Sequence, residues 1–263
     1  MSTFSTSTPL DVRVRFGSGR VTVETCTDGQ ASATAEALDP GDKHARLMAE
    51  QARIQLDGDR LTVDVPGKGL RRSSLPVHVR LRLPELSDLH VQTGDVVLDV
   101  TGELDDVRVQ TGNGEVRVPS ARGAVEVKSG HATVVVGSAA SVSLTAGSGT
   151  LQVQSAGDVT FKTGHGQAEL HSTSGRVVVK GGGVSLDLKA ASAGEVLFDS
   201  GAGSARVGVV EGTTVQLDLT SGMGEVRSDV PLEGGAPAGG PALRLRLRTG
   251  AGDVVVTRAT ADV

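Results

Sequence analysis

A short glycine-containing corner recurs along this chain at nearly constant spacing. Each copy is a strand-like segment ending in Thr or Ser, then Gly-x-Gly, then a second strand-like segment, as in DVRVQTGNGEVRV over residues 106–118. The intervals between successive corners are 18, 18, 17, 17, 17, 20, 21 and 28 residues. They are counted between Gly94, Gly112, Gly130, Gly147, Gly164, Gly181, Gly201, Gly222 and Gly250. Self-similarity at a fixed period is typical of proteins that stack one structural unit on the next.

Apolar and polar residues alternate within the segments, as in Val107-Arg-Val109 and Val159-Thr-Phe161. This pattern predicts strands with one buried and one solvated face. Parallel sheets covered by helices have continuous apolar runs instead, and barrels or sandwiches require no fixed corner interval. The sequence therefore predicts an all-β fold, a parallel β-helix (β-solenoid) with about 9–10 coils of 17–21 residues. We expect Gly112, Gly147 and Gly164 to stack at one corner, and Val109, Val127, Leu144 and Phe161 to point inward.

The chain supplies few large side chains for a thick core. Its 263 residues include 36 Gly and 4 Phe but no Trp and no Tyr. Aromatic residues bury the largest areas in ordinary cores, so this composition indicates a thin core of Val, Leu and Ala.

The remaining segments are assigned around the repeat. Residues 1–9 are predicted to be disordered, and residues 10–84 to form an N-terminal β-rich cap that contains the first coil. Within the cap we expect a short helix over Asp42–Ala52, capped by Asp42, and a hairpin turning at Asp57-Gly58. Residues 85–258 are expected to be coils continuous with the cap. A surface loop is predicted at 231–242 and a tail at 259–263.

Charge and cysteine content exclude several classes of protein. The formal net charge of −5 gives no electrostatic footprint for nucleic acid. The single cysteine, Cys26, can form neither an intramolecular disulfide nor a structural zinc cluster, and it is expected to be a strand residue. We find neither a signal peptide nor an apolar run long enough for a membrane span. As written, the chain is expected to be cytoplasmic, and to reach the surface only if a leader was removed or export is non-classical.

The order of these motifs resembles a bacterial adhesin-like family, the toast-rack domain of unknown function. The motifs are the V-x-V opening at Val12–Val23, the Asp-Gly hairpin, Val77–Pro84 and the repeated Thr-Gly-x-Gly corners, and the likeness extends from about Leu10 to Thr257. The resemblance implies a right-handed single-stranded β-helix, frequent in actinobacteria and firmicutes, with relatives attached to cell-envelope stress sensing. It implies no catalytic residues.

No pattern in the chain predicts chemistry, so we expect no enzyme, no cofactor and no catalytic, cofactor-binding or metal-ligating residue. A metal site between His131 and His165 is disfavoured because two coils, about 10 Å, would separate them. A calcium-binding β-roll requires a regular carboxylate at successive turns, and these positions carry mixed residues: Glu115, Thr150, Gln167, Ser204, Glu225 and Asp253. A polysaccharide-acting enzyme would show clustered acids, whereas the outward residues are mixed in sign: Arg108, Arg117, Glu126, Lys128 and Lys162. Solvated positions are expected for the other polar candidates: His90, Asn113, Ser148 and His171.

Two functional classes stay open. The first is a non-catalytic scaffold or protein-interaction module in an envelope-stress or regulatory assembly, and the second is an adhesin-like binder of carbohydrate or envelope polymer. The partner is thus a protein or an envelope polymer, and we expect a monomer or weak oligomer. The C-terminal coil, Leu243–Val256, is predicted to be an edge, used for association or protected by its arginines: Arg244, Arg246 and Arg248.

Overall fold

The computed structural model describes residues 2–6, 8–66, 76–230 and 242–259. It divides into two compact units, residues 1–135 and 136–263. Almost all of the described secondary structure is strand, paired mainly in parallel, which confirms the predicted β-solenoid. Within the described residues, no helix is long and apolar enough to cross a bilayer.

The first unit contains eleven strands, one helix and the start of a twelfth strand. They are β1 (Ser2–Ser5), β2 (Asp11–Arg15), β3 (Ser18–Cys26), β4 (Gln30–Ala37), α1 (Lys43–Glu50), β5 (Arg53–Asp57), β6 (Arg60–Asp64), β7 (Pro76–Pro84), β8 (Asp88–Gln92), β9 (Asp95–Thr101), β10 (Glu103–Leu104), β11 (Val107–Ala121) and β12 (Ala124–Thr173).

The second unit contains the rest of β12 and seven further strands. These are β13 (Arg176–Ala191), β14 (Gly194–Ala202), β15 (Ala205–Val209), β16 (Thr214–Met223), β17 (Val226–Ser228), β18 (Ala242–Ala251) and β19 (Val254–Arg258). The predicted loop at 231–242 lies outside the described residues except for Ala242, which begins β18. Most of the predicted tail, residues 260–263, also lies outside them.

The first coil of the chain is not the outermost coil of its unit. Strand β2 pairs in parallel with β6 on one side and with β8 on the other, and β3 pairs likewise with β7 and β9. Two antiparallel strands extend this arrangement, because β5 pairs with β6 and β4 pairs with β7. The outer coil β6–β7 is therefore covered on both of its strands.

The last coil of the chain is also internal to its unit, which corrects the prediction that Leu243–Val256 is an edge. Strand β18 pairs in parallel with both β14 and β16, and β19 pairs with both β15 and β17. Leu245, for example, lies opposite both Val196 and Leu217. The coil β18–β19, which comes last in the sequence, therefore lies between the coil β14–β15 and the coil β16–β17.

Stacked glycines form the predicted corners in each unit. A Cβ built on Gly112 would lie 2.8 Å from the Gly94 carbonyl oxygen, and one on Gly164 would lie 2.7 Å from that of Gly147. The corner requires glycine because the neighbouring coil leaves no room for a side chain. Gly182, not the predicted Gly181, lies above Gly164, since Gly181 is paired with Thr163.

The Thr or Ser that precedes these glycines also has a structural role. The Thr111 hydroxyl donates to the Asn113 carbonyl (2.7 Å) and lies 3.1 Å from the Gly94 carbonyl of the adjacent coil. Ser129 repeats this geometry with the carbonyls of His131 and Gly112. The Gly94 carbonyl also accepts hydrogen bonds from the backbone N–H groups of Gly112 (2.7 Å) and Asn113 (3.1 Å), so the hydroxyl adds a side-chain contact to a corner that the backbone already pairs.

The core consists mainly of inward-facing Val, Leu and Ala side chains, with Phe161 and Phe198 as its largest members. The residues predicted to point inward are buried, which confirms the alternation: Val109, Val127, Leu144 and Phe161. Burying such side chains stabilises the fold by about 1.5–3 kcal/mol each relative to exposure, before entropy is counted.

The predicted helix and hairpin are both present. Asp42 caps α1, accepting hydrogen bonds from the backbone N–H groups of His44 and Ala45, and β5 and β6 form an antiparallel hairpin. The N-terminus differs from the expectation of disorder, because Ser2–Ser5 form β1 and pair antiparallel with β4. The outer edge of β4 provides backbone hydrogen-bond partners for Ser2–Ser5. The Ser/Thr-rich composition of this segment does not indicate that such an edge is available.

Candidate functional site

A basic surface lies on one outward sheet face of the second unit. Five neighbouring strand segments form it: the end of β12, the first half of β13, then β14, β18 and β16. We call this the basic face. Its six cationic residues are exposed: Lys162, Arg176, Lys180, Arg244, Arg246 and Arg248. Four acidic residues accompany them, so the face is positive although the whole chain is negative: Asp158, Glu195, Asp199 and Asp218.

Strand register arranges these side chains in rows. One row runs Lys162, Lys180, Asp199, Arg248, and a parallel row runs Arg176, Glu195, Arg244. Neighbouring strands are about 4.8 Å apart and alternate residues along a strand about 6.6 Å apart. Between the two rows lie the outward and only half-buried side chains of Val178 and Leu197. The face is thus a flat grid of charges with an aliphatic centre.

Several of these charges are paired within the grid. Arg246 and Arg248 both donate to Asp218 Oδ2 at 3.0 Å, and Arg244 Nε donates to Gln216 Oε1 at 3.1 Å. The hydrogen bond from Arg246, with that from Arg248, lowers the pKa of the Asp218 carboxyl. This carboxylate therefore stays ionised and orients two guanidinium groups along the face.

Lys162 and Lys180 are two cations of the basic face for which the described residues provide no ion pair within 4.0 Å. They are directly opposite each other in β12 and β13, and Asp199 of β14 lies opposite Lys180 on its other side. Like charges directly opposite on adjacent strands repel and destabilise the pairing. A bound anion would remove that repulsion, and solvent exposure makes both ammonium groups available to it.

The corresponding outward face of the first unit is internally neutralised around Asp11. This carboxylate accepts hydrogen bonds from Arg60 Nε (2.9 Å) and Arg13 Nη2 (3.1 Å), and His90 Nε2 lies 3.8 Å from it. Burial alone would raise the pKa of Asp11, but the hydrogen bonds from Arg60 and Arg13 outweigh it and lower the pKa. These cations are therefore less available to an external anion than the two lysines.

A cavity of about 570 Å³ lies between α1 and β4 in the first unit. It exists because the helix and the strand meet through alanines, which are too small to fill the space: Ala35, Ala37, Ala49 and Ala52. Its rim carries charges of both signs, Glu36, Arg46 and Glu50, and Glu36 already lies 3.5 Å from Arg80. The mixed charges of this rim therefore favour neither an anionic nor a cationic ligand.

The residues singled out in the sequence are dispersed. Cys26 ends β3, where its thiol donates to the Gln30 carbonyl (3.1 Å), and burial, with Asp28 adding, raises its pKa. His131 and His165 are exposed and belong to different units. Asn113 donates to Asp95 Oδ1 at 2.6 Å. Among the described residues, no group of three or more His, Cys, Asp or Glu side chains could hold a metal.

Sequence reasoning noted Lys162 but missed the basic face as a whole. The Arg-x-Arg-x-Arg pattern at 244–248 and the separate lysines come together only through strand register, and the position of β18 inside the unit brings its arginines beside Glu195 and Asp199. The alternation of Arg with Leu over 243–248 was the available signal.

Comparison with known proteins gives one family match and several distant structural similarities. The family model Toastrack DUF4097 matches residues 10–238. A putative adhesin from Bacteroides fragilis is 11% identical, with a TM-score of 0.40 and coverage of 97% of this chain and 95% of that one. A putative adhesin from Parabacteroides distasonis is 13% identical, with a TM-score of 0.38 and coverage of 97% and 96%. A search of curated proteins finds no match.

Proposed function

The chain belongs to the Toastrack DUF4097 family, and we propose that it is a non-catalytic binding module whose basic face holds an anionic polymer of the cell envelope. The observation that carries the proposal is the opposed pair Lys162 and Lys180, two exposed cations that form no ion pair within 4.0 Å among the described residues. The paired arginines beside them extend the positive surface.

Flatness favours a polymer over a small ligand. Small-molecule sites are concave and bury most of their ligand, whereas this face is a sheet surface on which charges repeat at about 4.8 and 6.6 Å. A chain with regularly spaced phosphates or carboxylates can contact several rows at once. Each contact is weak, and affinity comes from their number.

Composition restricts the polymer further. With no Trp and no Tyr in the chain, the face has no amphipathic ring on which a sugar or a base could stack. Binding of single-stranded nucleic acid depends strongly on such stacking. We therefore still expect that nucleic acid is not the partner. Charge is the main recognition term that remains, which favours a poly(glycerol phosphate)-like or uronate polymer over a neutral glycan.

The direct test measures binding to three probes by titration calorimetry: poly(glycerol phosphate), polygalacturonate and neutral dextran. We expect at least one polyanion to bind, dextran not to bind, and added salt to weaken binding because the charges are exposed. The double variant Lys162→Glu, Lys180→Glu should bind about tenfold more weakly, since about 1.4 kcal/mol is lost over several exposed contacts.

The matched control reverses two charges on the opposite sheet face of the same unit, Lys189→Glu and Arg206→Glu. This variant should bind like the unmodified chain. Equal weakening by both double variants would contradict the proposal, because it would indicate general attraction by net charge. Failure of both polyanions to bind would also contradict it.

A second candidate function is the protein-interaction scaffold. It is favoured by β16, whose inward side chains are only half-buried. Cell fractionation discriminates the two candidates, since the cytoplasmic location expected from the sequence favours a protein partner and recovery at the surface favours the polymer.

A further inference from the structure

The outermost coil of the second unit, β16–β17, is incompletely covered. Among the described residues, β16 pairs only with β18 and β17 pairs only with β19. Inward residues of β18 such as Leu245 and Leu247 are 0% exposed, whereas the matching residues of β16 are only half-buried: Val215, Leu217 and Leu219. Met223 (73% exposed) and Val226 (45% exposed) add to this apolar surface.

This strand edge lacks the usual protection against pairing. Natural edges carry Lys, Pro or bulges, which discourage the addition of another strand. Residues 214–223 contain one charge, Asp218, and its carboxylate is already bound by Arg246 and Arg248. The free side of β16 therefore offers backbone groups and aliphatic side chains without a repelling charge.

From this edge we propose that β16 pairs antiparallel with β16 of a second copy of the chain, about a two-fold axis through Leu217. The first unit demonstrates the geometry, because its outermost coil β6–β7 is completed by antiparallel strands β5 and β4. The second unit has no such strands within its described residues, and an identical coil supplies them.

The sequence of β16 selects one register. With Leu217 opposite its own copy, Val215 lies opposite Leu219 and the apolar residues of both strands share the core side. Gln216 then lies opposite Asp218 of the copy, so that an amide donor meets a carboxylate. Centring the axis on Asp218 would oppose two carboxylates, which is unfavourable, and a slip of one residue would turn the apolar side chains to solvent.

The proposed pairing also joins the two basic faces. Because inward residues stay inward in both copies, both outward faces lie on the same side of the extended sheet. A two-fold contact of this kind is self-complementary and closes at two copies. Independent of the polymer proposal, it would double the length of any surface that the face provides.

Sedimentation equilibrium over a wide concentration range tests the dimer, and we expect a reversible monomer–dimer equilibrium. Gln216→Glu should weaken the dimer about tenfold, because it opposes carboxylates at two symmetric positions. Thr160→Glu changes an outward position on β12 instead and should leave the equilibrium unchanged. Gln216 is exposed and the substitution keeps the size of its side chain, so this variant should stay folded.

A crosslinking variant provides an independent measurement. In a Cys26→Ser background, Leu217→Cys places one thiol opposite its own copy at about 4.5–5.5 Å between Cα atoms, within the disulfide range. Mild oxidation should give a covalent dimer, whereas Thr220→Cys, which faces Thr214 of the copy, should not. A monomer at every concentration with no Leu217→Cys dimer overturns the proposal. Growth beyond two copies would also overturn it, since this contact closes.

Discussion

Substitution of one corner glycine should destabilise the second unit far more than substitution of another. A Cβ built on Gly166 would lie 2.0 Å from the Gly149 carbonyl oxygen and 3.2 Å from Phe161 Cζ. A Cβ on Gly182 would lie 3.1 Å from the Gly164 carbonyl oxygen. Neither glycine has a positive φ, so the comparison isolates the space between coils from backbone strain.

The magnitude follows from the displacement that each Cβ requires. Relieving the contact at Gly166 needs a shift of over 1 Å between coils, which would break about two backbone hydrogen bonds at about 1 kcal/mol each. Overpacking against Phe161 adds about 1–3 kcal/mol. We therefore expect Gly166→Ala to lower the free energy of unfolding by about 3–5 kcal/mol, whereas Gly182→Ala needs a shift of a few tenths of an ångström and should cost under about 1 kcal/mol.

Urea denaturation followed by far-UV circular dichroism measures both variants, since the chain has no Trp for fluorescence. Stacked repeats can unfold in more than one step, so the transition midpoints should be compared as well as the extrapolated free energies. Equal losses of stability in Gly166→Ala and Gly182→Ala would show that the spacing between coils does not determine the cost of an added Cβ.

Three further outcomes are expected. Phe161→Ala should lower the free energy of unfolding by about 3–5 kcal/mol, because it empties a fully buried position, and urea denaturation measures this loss. Burial, with Arg80 and Arg20, lowers the pKa of His78, so the folded state favours the neutral ring. Stability should therefore fall as the pH drops from above 6.5 through the folded pKa. Melting temperatures measured at several pH values should show a smaller fall for His78→Gln. Calcium or EDTA should leave the melting temperature unchanged, and a rise with calcium would reveal a site.

The repeat made the fold predictable in detail. Val109 and Phe161 are buried because side chains along a strand point alternately to its two faces, and the apolar residues take the inward face. The first glycine of a corner recurs where the backbones of neighbouring coils approach closely. The cap of α1 was also predictable, since Asp42 is followed by a helix-period pattern and its side chain satisfies local N–H groups. These are consequences of short-range geometry.

The order of the coils was not predictable in the same way. Every coil presents the same alternation and corner, so the core gives no preference for which coil lies beside which, and the usual assumption is that neighbours in sequence are neighbours in space. The available signal was the spacing, because the last interval between corners is 28 residues and Gly17 precedes Gly94 by a far longer gap. The basic face depends on this order, and so was missed with it.

The inward position of β18–β19 has a consequence for vectorial folding during synthesis. Strands β14 and β16 leave the ribosome before β18, yet each pairs with β18. Phe198, for example, lies opposite Leu247, which is synthesised later. Until then the nascent chain exposes two apolar edges, which favours aggregation or recognition by chaperones. Completion of this unit is therefore a late, non-local event, and a chain that ends before Leu243 would lose the contacts of β18–β19 with both neighbouring coils.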